Sequence, residues 1–433
     1  MQYDITGFGA VGDGKTLATA AIQAAIDACH QNGGGRVTVP AGTFKSGTIW
    51  LKSHVELHLE SGATLLASDD LDDYNEEGDY PQNYHSDNEE WNGKHLIIAH
   101  EQEDVSITGF GVIDGNGHLF YGEPVKKWSF LWVDGIALAK DKKRLRPGQL
   151  IVFVQCKHVR VQDIRIRNNT CWTCFFHGCE FVQVRGITIQ NVSTATNTDG
   201  IDIDCCRHVT VSDCIIDTAD DAFALRGCGH RLKSGPEACE LVTITNCVLG
   251  SSSGAFRFGV GNSPIRHVRI SNITVKRAAT AFIFTSNYSE AQGMYTPISD
   301  VMIQNVSIAE TQRAVKFAAV KKSEIRDVVL ENIYCRAYGG SYVKAPEGNH
   351  IHNVRFENFK LEILDRGALD AEVAAERRPH VLWLEEADGF TFRHVQILGT
   401  DKTATPWECD VMVENGTPVV EDCSFQLRKR GNK

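Results

Sequence analysis

The chain has 433 residues, 42% of them hydrophobic and 23% charged, with 38 Gly against 11 Pro, a composition that excludes a disordered or collagen-like protein. Lys and Arg total 44 against 55 Asp and Glu, and the net charge of −11 argues against nucleic acid as a partner, because that affinity comes mostly from neutralised phosphates. No apolar run approaches the roughly 18 residues that span a bilayer, so no membrane partner is expected either.

Met1-Gln2-Tyr3-Asp4 lacks the basic segment and apolar core of a signal peptide, which predicts a cytoplasmic protein unless a leader has been removed. Gly9-Ala10-Val11-Gly12-Asp13-Gly14-Lys15-Thr16 then matches a phosphate-binding loop letter for letter. That loop needs a buried strand before it in a βαβ unit, and Tyr3-Asp4-Ile5-Thr6 is too short and polar to be one; a turn leading into a helix is expected instead. Leu17, Ala21, Ile22, Ala25, Ile26 and Cys29 fall on one helical face, and Gly33-Gly34-Gly35 stops the helix. Residues 1–45 are therefore expected to form an N-terminal cap. The stretches 69–95 and 118–150, rich in Asp, Glu, Asn, Tyr and Trp, read as loops walling a groove.

One eight-residue phrase organises the rest: Val, any, Val/Ile/Leu, any, often Asn/Asp/Gly, apolar, any, apolar. It starts at Val105, Val159, Val182, Val209, Val242, Val268, Val301, Val328 and Val354, with a looser copy at Phe390. Period-two alternation on both sides of a polar corner means two short strands with a bend between them. From Val159 to Val354 the starts are 23 to 33 residues apart, as in stacked coils with loops of variable length. The expected fold is all-β: a single right-handed parallel β-helix over 1–433, with an N-terminal capping helix. Three residues before successive phrases stand Cys156, Cys179, Cys206 and Cys239, then Ile265, Ile298, Ile325 and Ile351. Cysteine thus substitutes for isoleucine in an inward ladder, as reduced core thiols would. Cys171 and Cys174 lack a second pair, and neither a zinc nor a redox site is read there.

Asn197-Thr198-Asp199-Gly200-Ile201-Asp202 precedes the phrase at Val209, and Asp220-Asp221 follows it. Asp199 and Asp220 are 21 residues apart, about one circuit of such a helix, so the carboxylates are expected on adjacent coils of one face. Carboxylates that close repel, one pKa rises, and the protonated member becomes a general acid. An acid and a base facing one bond is the machinery of glycoside hydrolysis. Clustered aspartates also suit calcium, which is the competing reading. Asp163, Asp213 and Asn246 are expected only to cap coil corners.

These aspartate signatures resemble those of glycoside hydrolase family 28, the polygalacturonases. The resemblance extends over Gly34-Gly35-Arg36-Val37, Val39-Pro40-Ala41-Gly42-Thr43-Phe44, residues 109–117, and Trp172 with Cys179. It implies an inverting hydrolase in which Asp220 protonates the leaving oxygen while Asp199 and Asp221 position and deprotonate water. Carboxyl separations of roughly 6.5–9.5 Å suit such a site. Asn197 and Asp202 are expected to support substrate binding, and Arg226 stands where the family usually has Lys. Two family signatures are missing. The position of a conserved turn His falls on Ser253 or Gly254, and an Arg-x-Lys that grips the leaving-group carboxylate is replaced by Ile283 and Thr285. Arg226 or Arg257 is a candidate to compensate; otherwise that subsite is expected to favour a neutral sugar. Phe256, Phe258, Phe282 and Phe284 read as core residues.

The expected activity is exo-acting hydrolysis of pectin-derived or related oligosaccharides, with no cofactor and no metal. The alternatives are a polysaccharide lyase on the same scaffold and a non-catalytic carbohydrate-binding β-helix.

Overall fold

The computed structural model describes residues 1–86, 91–125, 135–138, 146–234, 237–346, 348, 350–365, 380–403 and 407–430. Its strands stack in parallel on three faces, so that each circuit of the chain adds one strand to each. The phrase forms the first face. Val105 pairs with Val159, then Val182, Val209, Val242, Val268, Val301, Val328, Val354 and Phe390 follow in unbroken register. The polar letter of the phrase is the corner to the second face. Asp163, Asp213, Asn246, Asn272, Asn305, Asn332 and Asn358 there have φ between 50° and 64°, the left-handed conformation that Asn and Asp tolerate best. Their side chains link coil to coil: Asn358 Nδ2 donates to Asn332 Oδ1 at 2.7 Å, and Asn332 Nδ2 to Asn305 Oδ1 at 3.2 Å. At the same corner Gly186 has no room for a side chain, since a Cβ would meet Asp163 Oδ1 at 2.6 Å.

Inside, residues of successive coils stack in columns. Cys156, Cys179, Cys206 and Cys239 are buried, and Cys239 pairs with Ile265 at the head of the isoleucine column. Thirteen of the fourteen cysteines are buried, and Cys423 is partly exposed. Phe258 and Phe284 stack at 4.6 Å, as do Phe284 and Phe317; Phe223, Phe256 and Phe282 form a second column. All are fully buried core, and each aromatic pair is worth about 0.5–1.5 kcal/mol beyond its buried area.

The N-terminal part differs from expectation in two ways. The solenoid begins well before Val105: Gln2–Asp4 pairs with Gly35–Val39, which pairs with Val55–Leu59, which in turn meets Glu103–Gly109. These strands escaped the phrase because the corners between them are longer and differently composed. The helix runs Thr19–Gln31 and buries Ile22, Ala25, Ile26 and Cys29, but Leu17 is not on it. Leu17 ends the strand Asp13–Leu17 and is exposed, because that strand pairs with Gly42–Ser46 before the helix can start. The phosphate-loop look-alike is a turn: Asp13 Oδ1 accepts from the N–H groups of Lys15 and Thr16 at 2.8 and 2.7 Å. No helix among the described residues is long and apolar enough to cross a membrane.

Candidate active site

The third face carries the site. Ile201–Asp204 pairs with Phe223–Gly227, and Phe223 with Phe256. The turns entering these strands continue the ladder, because Gly200 N donates to Asp221 O at 2.9 Å and Ala222 N to Gly254 O at 2.8 Å. Asp199 therefore stands over Asp221, with Asp220 one residue earlier in the same tight turn. One oxygen from each of Asp199, Asp220 and Asp221 lies within 4.8 Å of the others. They line a cavity of about 190 Å³ together with Trp172, Asn197, Arg226, Ser253, Arg257, Val260 and Tyr288.

The three carboxylates have different surroundings. Asp220 accepts from Asn197 N at 3.1 Å and Asp221 N at 3.0 Å. Burial, then the charge of Asp221, pushes it up to about 6, while Arg257 pulls the other way. Asp199 is nearly inaccessible, and its Oδ1 has no hydrogen-bond partner. Burial first, then Asp220, Asp202 and Asp221, raise it well above the usual carboxylate range. Asp221 is buried but well paired: Arg257 Nε forms an ion pair with Oδ2, and Oδ1 accepts from Ser253 Oγ at 3.0 Å and Gly254 N at 2.8 Å. A proton shared by Asp199 and Asp220 beside an anchored anion suits acid–base chemistry. It suits calcium poorly, since a guanidinium already occupies the anion's open side.

Both candidate positions for the absent His thus touch Asp221. A side chain at Gly254 would force Asp221 and Ile283 to move, because its Cβ would lie 2.6 Å from Asp221 Oδ1 and 2.9 Å from Ile283 Cδ1. Arg257 points into the cavity, which its sequence position alone left open. Arg226 lines the cavity too, but its guanidinium lies 4.2 Å over the Trp172 ring and 3.6 Å from Asp202. Asp202 itself is fully buried and does not line the cavity. It lies on the strand Ile201–Asp204, where it serves as a counter-charge to Arg226. Asn197 contributes its N–H to Asp220, and its side chain is held by Arg146, whose Nη2 donates to Oδ1 at 2.9 Å. Arg146 is completely buried and also binds the carbonyls of Thr170 and Thr196. Nothing in its sequence neighbourhood marked it, nor Tyr288, whose ring lies 5.3 Å from the Arg257 guanidinium.

Of the expected groove loops, the described part of 69–95 packs Tyr80, Tyr84 and Trp91 against Trp172 and Phe175, beside the cavity. Of 118–150, residues 126–134 and 139–145 lie outside the described residues, and Tyr121–Val125 pairs antiparallel with Gly135–Leu138.

The glycosyl hydrolases family 28 model matches residues 29–250. The chain belongs to that family. Among its family 28 relatives, an exo-poly-alpha-D-galacturonosidase of Dickeya chrysanthemi is 32% identical over 255 residues, 51% of this chain and 41% of that protein. The alignment thus spans less than half of the relative's length. A probable polygalacturonase of Vitis vinifera is 26% identical over 367 residues, 75% of this chain and 68% of that one. Family 28 exopolygalacturonase of Yersinia enterocolitica superposes with a TM-score of 0.63 at 20% identity, covering 98% of this chain and 78% of its own. The Thermotoga maritima exopolygalacturonase gives 0.61 at 22% identity, covering 98% and 91%. This family 28 protein is therefore a polygalacturonase-like glycoside hydrolase.

Proposed function

We propose that the protein releases sugar units from one end of α-linked galacturonide chains, by single displacement with inversion. The observation that carries this reading is the convergence of Asp199, Asp220 and Asp221 on one cavity, with Asp220 raised to about 6 and Asp221 anchored by Arg257. Asp220 donates its proton to the leaving oxygen. Asp221, assisted by Asp199, takes a proton from the attacking water, and positive charge developing on the sugar favours ionisation of Asp199. Action from a chain end is supported by the aromatic packing of Tyr80, Tyr84 and Trp91 on one side of the cavity and by the exo-acting relatives.

A second reading, retention through a covalent intermediate, is favoured by one observation. Carboxyl oxygens within 4.8 Å are closer than the roughly 6.5–9.5 Å expected of an inverting pair and nearer the roughly 5–5.5 Å of a retaining one. Proton NMR of the first turnover of trigalacturonate separates the two. Monomer released from the outset with inverted anomeric configuration is expected. Retained configuration refutes inversion, internal cleavage refutes exo action, and absorbance from an unsaturated uronide refutes hydrolysis in favour of a lyase.

A further inference from the structure

Along the cavity face, one outward-pointing position per coil forms a continuous line. It reads Phe175, Asp202, Ala224, Arg257, Ile283, Lys316, Tyr342 and Trp383, each paired in register with the next. Ile283, which replaces a cation of the missing Arg-x-Lys, is thus flanked by a cation on each side. Arg257 is committed to Asp221. Lys316, two strands or roughly 10 Å further along, lies beyond the residues that line the catalytic cavity.

Lys316 is half-buried, and among the described residues no carboxylate pairs with it. Its neighbours are cations. Arg313 Cζ, Lys316 Nζ and Lys344 Nζ lie 5.9, 5.9 and 5.8 Å from the centre of the Tyr342 ring. Burial, then Arg257, Arg313 and Lys344, push the Lys316 ammonium down to about 8, while Asp221 opposes. Lys316 and Lys344 thus present two ammonium groups to one ring on the groove face, an arrangement that attracts an anion. The Tyr342 ring adds an apolar surface suited to the C–H face of a sugar.

We propose that Lys316, with Arg313 and Lys344 around Tyr342, forms an anionic-sugar subsite that binds the carboxylate of a uronic acid residue, displaced along the groove from the Arg-x-Lys position. The subsite rests on the reading that the protein handles a uronide chain, and it replaces the expectation of a neutral leaving-group side. The Ile283 coil gives that chain an apolar floor, and the charge contact moves one coil further on.

The test measures binding by calorimetry in the inactive Asp220→Asn protein, with trigalacturonate and its methyl ester as probes. Adding Lys316→Met is expected to weaken trigalacturonate binding by about tenfold or more, the cost of one charge-assisted contact, and to leave the ester unchanged. Lys316→Arg is expected to restore the acid. Binding of the acid to the parent protein is also expected to weaken above pH 8. Equal weakening of acid and ester, no weakening of either, or no binding of the acid at all overturns the subsite. Turnover of trigalacturonate by the protein with Asp220 intact decides the functional reading separately. Turnover without dependence on Lys316 refutes only the subsite, and Lys316-dependent binding without turnover refutes only the hydrolase reading.

Discussion

Replacing Arg257 by Gln removes the cation from Asp221 while keeping bulk and a hydrogen-bond donor. Asp221 has three partners, Arg257, Ser253 Oγ and Gly254 N, and only the first is charged. Removing the cationic partner of a buried anion costs about 3–5 kcal/mol. The charge-assisted contact itself is worth about 1.5–3 kcal/mol, or about one to two orders of magnitude in an equilibrium. Arg257 also holds Asp220 down, so without it the acid keeps its proton to higher pH and the falling limb of the pH profile moves upward. At pH 5 kcat/KM is expected to fall by about 10- to 100-fold, the worth of the lost contact, with a smaller loss at pH 7.5, where more of Asp220 then keeps its proton. The assay is reducing-end release from trigalacturonate between pH 4 and 9. A raised KM on an unmoved profile refutes the argument, since Arg257 would then hold substrate rather than Asp221.

Asp220→Asn is isosteric and is expected to cost about two orders of magnitude or more in turnover; with Asp220 intact, kcat/KM falls as pH rises through about 6, because the acid loses its proton there. Asp199→Asn is expected to abolish turnover yet raise the melting temperature at pH 7.5. The folded state holds Asp199 above its unfolded pKa, a penalty felt at high pH and absent below about pH 4, where both states are protonated. A thermal scan at both pH values checks the sign, and a gain that grows toward low pH contradicts it. Thiol titration of the native protein is expected to reach little beyond Cys423, and to reach all fourteen thiols after denaturation without reductant; several disulfides would contradict the ladder.

The solenoid was readable because its determinants are local. Alternation of period two sets which residues face inward, and a left-handed corner selects Asn, Asp or Gly, so the phrase at Val159 and its copies predicts register coil by coil. The same arithmetic brought Asp199 to Asp220 and Asp221, since one circuit separates them. What lies at the turns was not readable. Whether Arg257 faces the cavity is decided by a single-residue parity after the bend at Ser252 and Ser253, and a one-residue slip would have turned it inward. Asp202 stands beside Asp199 in the sequence, but its place 3.6 Å from Arg226 follows only from the stacking of their coils. Arg146 and Lys316 carry no local signature at all. Each matters only because stacking sets it against residues 24 to 59 positions away, Arg146 against Thr170 and Asn197, Lys316 against Arg257. Sequence alone determined the coil and the three carboxylates; the charges that tune them were decided by which coils came to lie side by side.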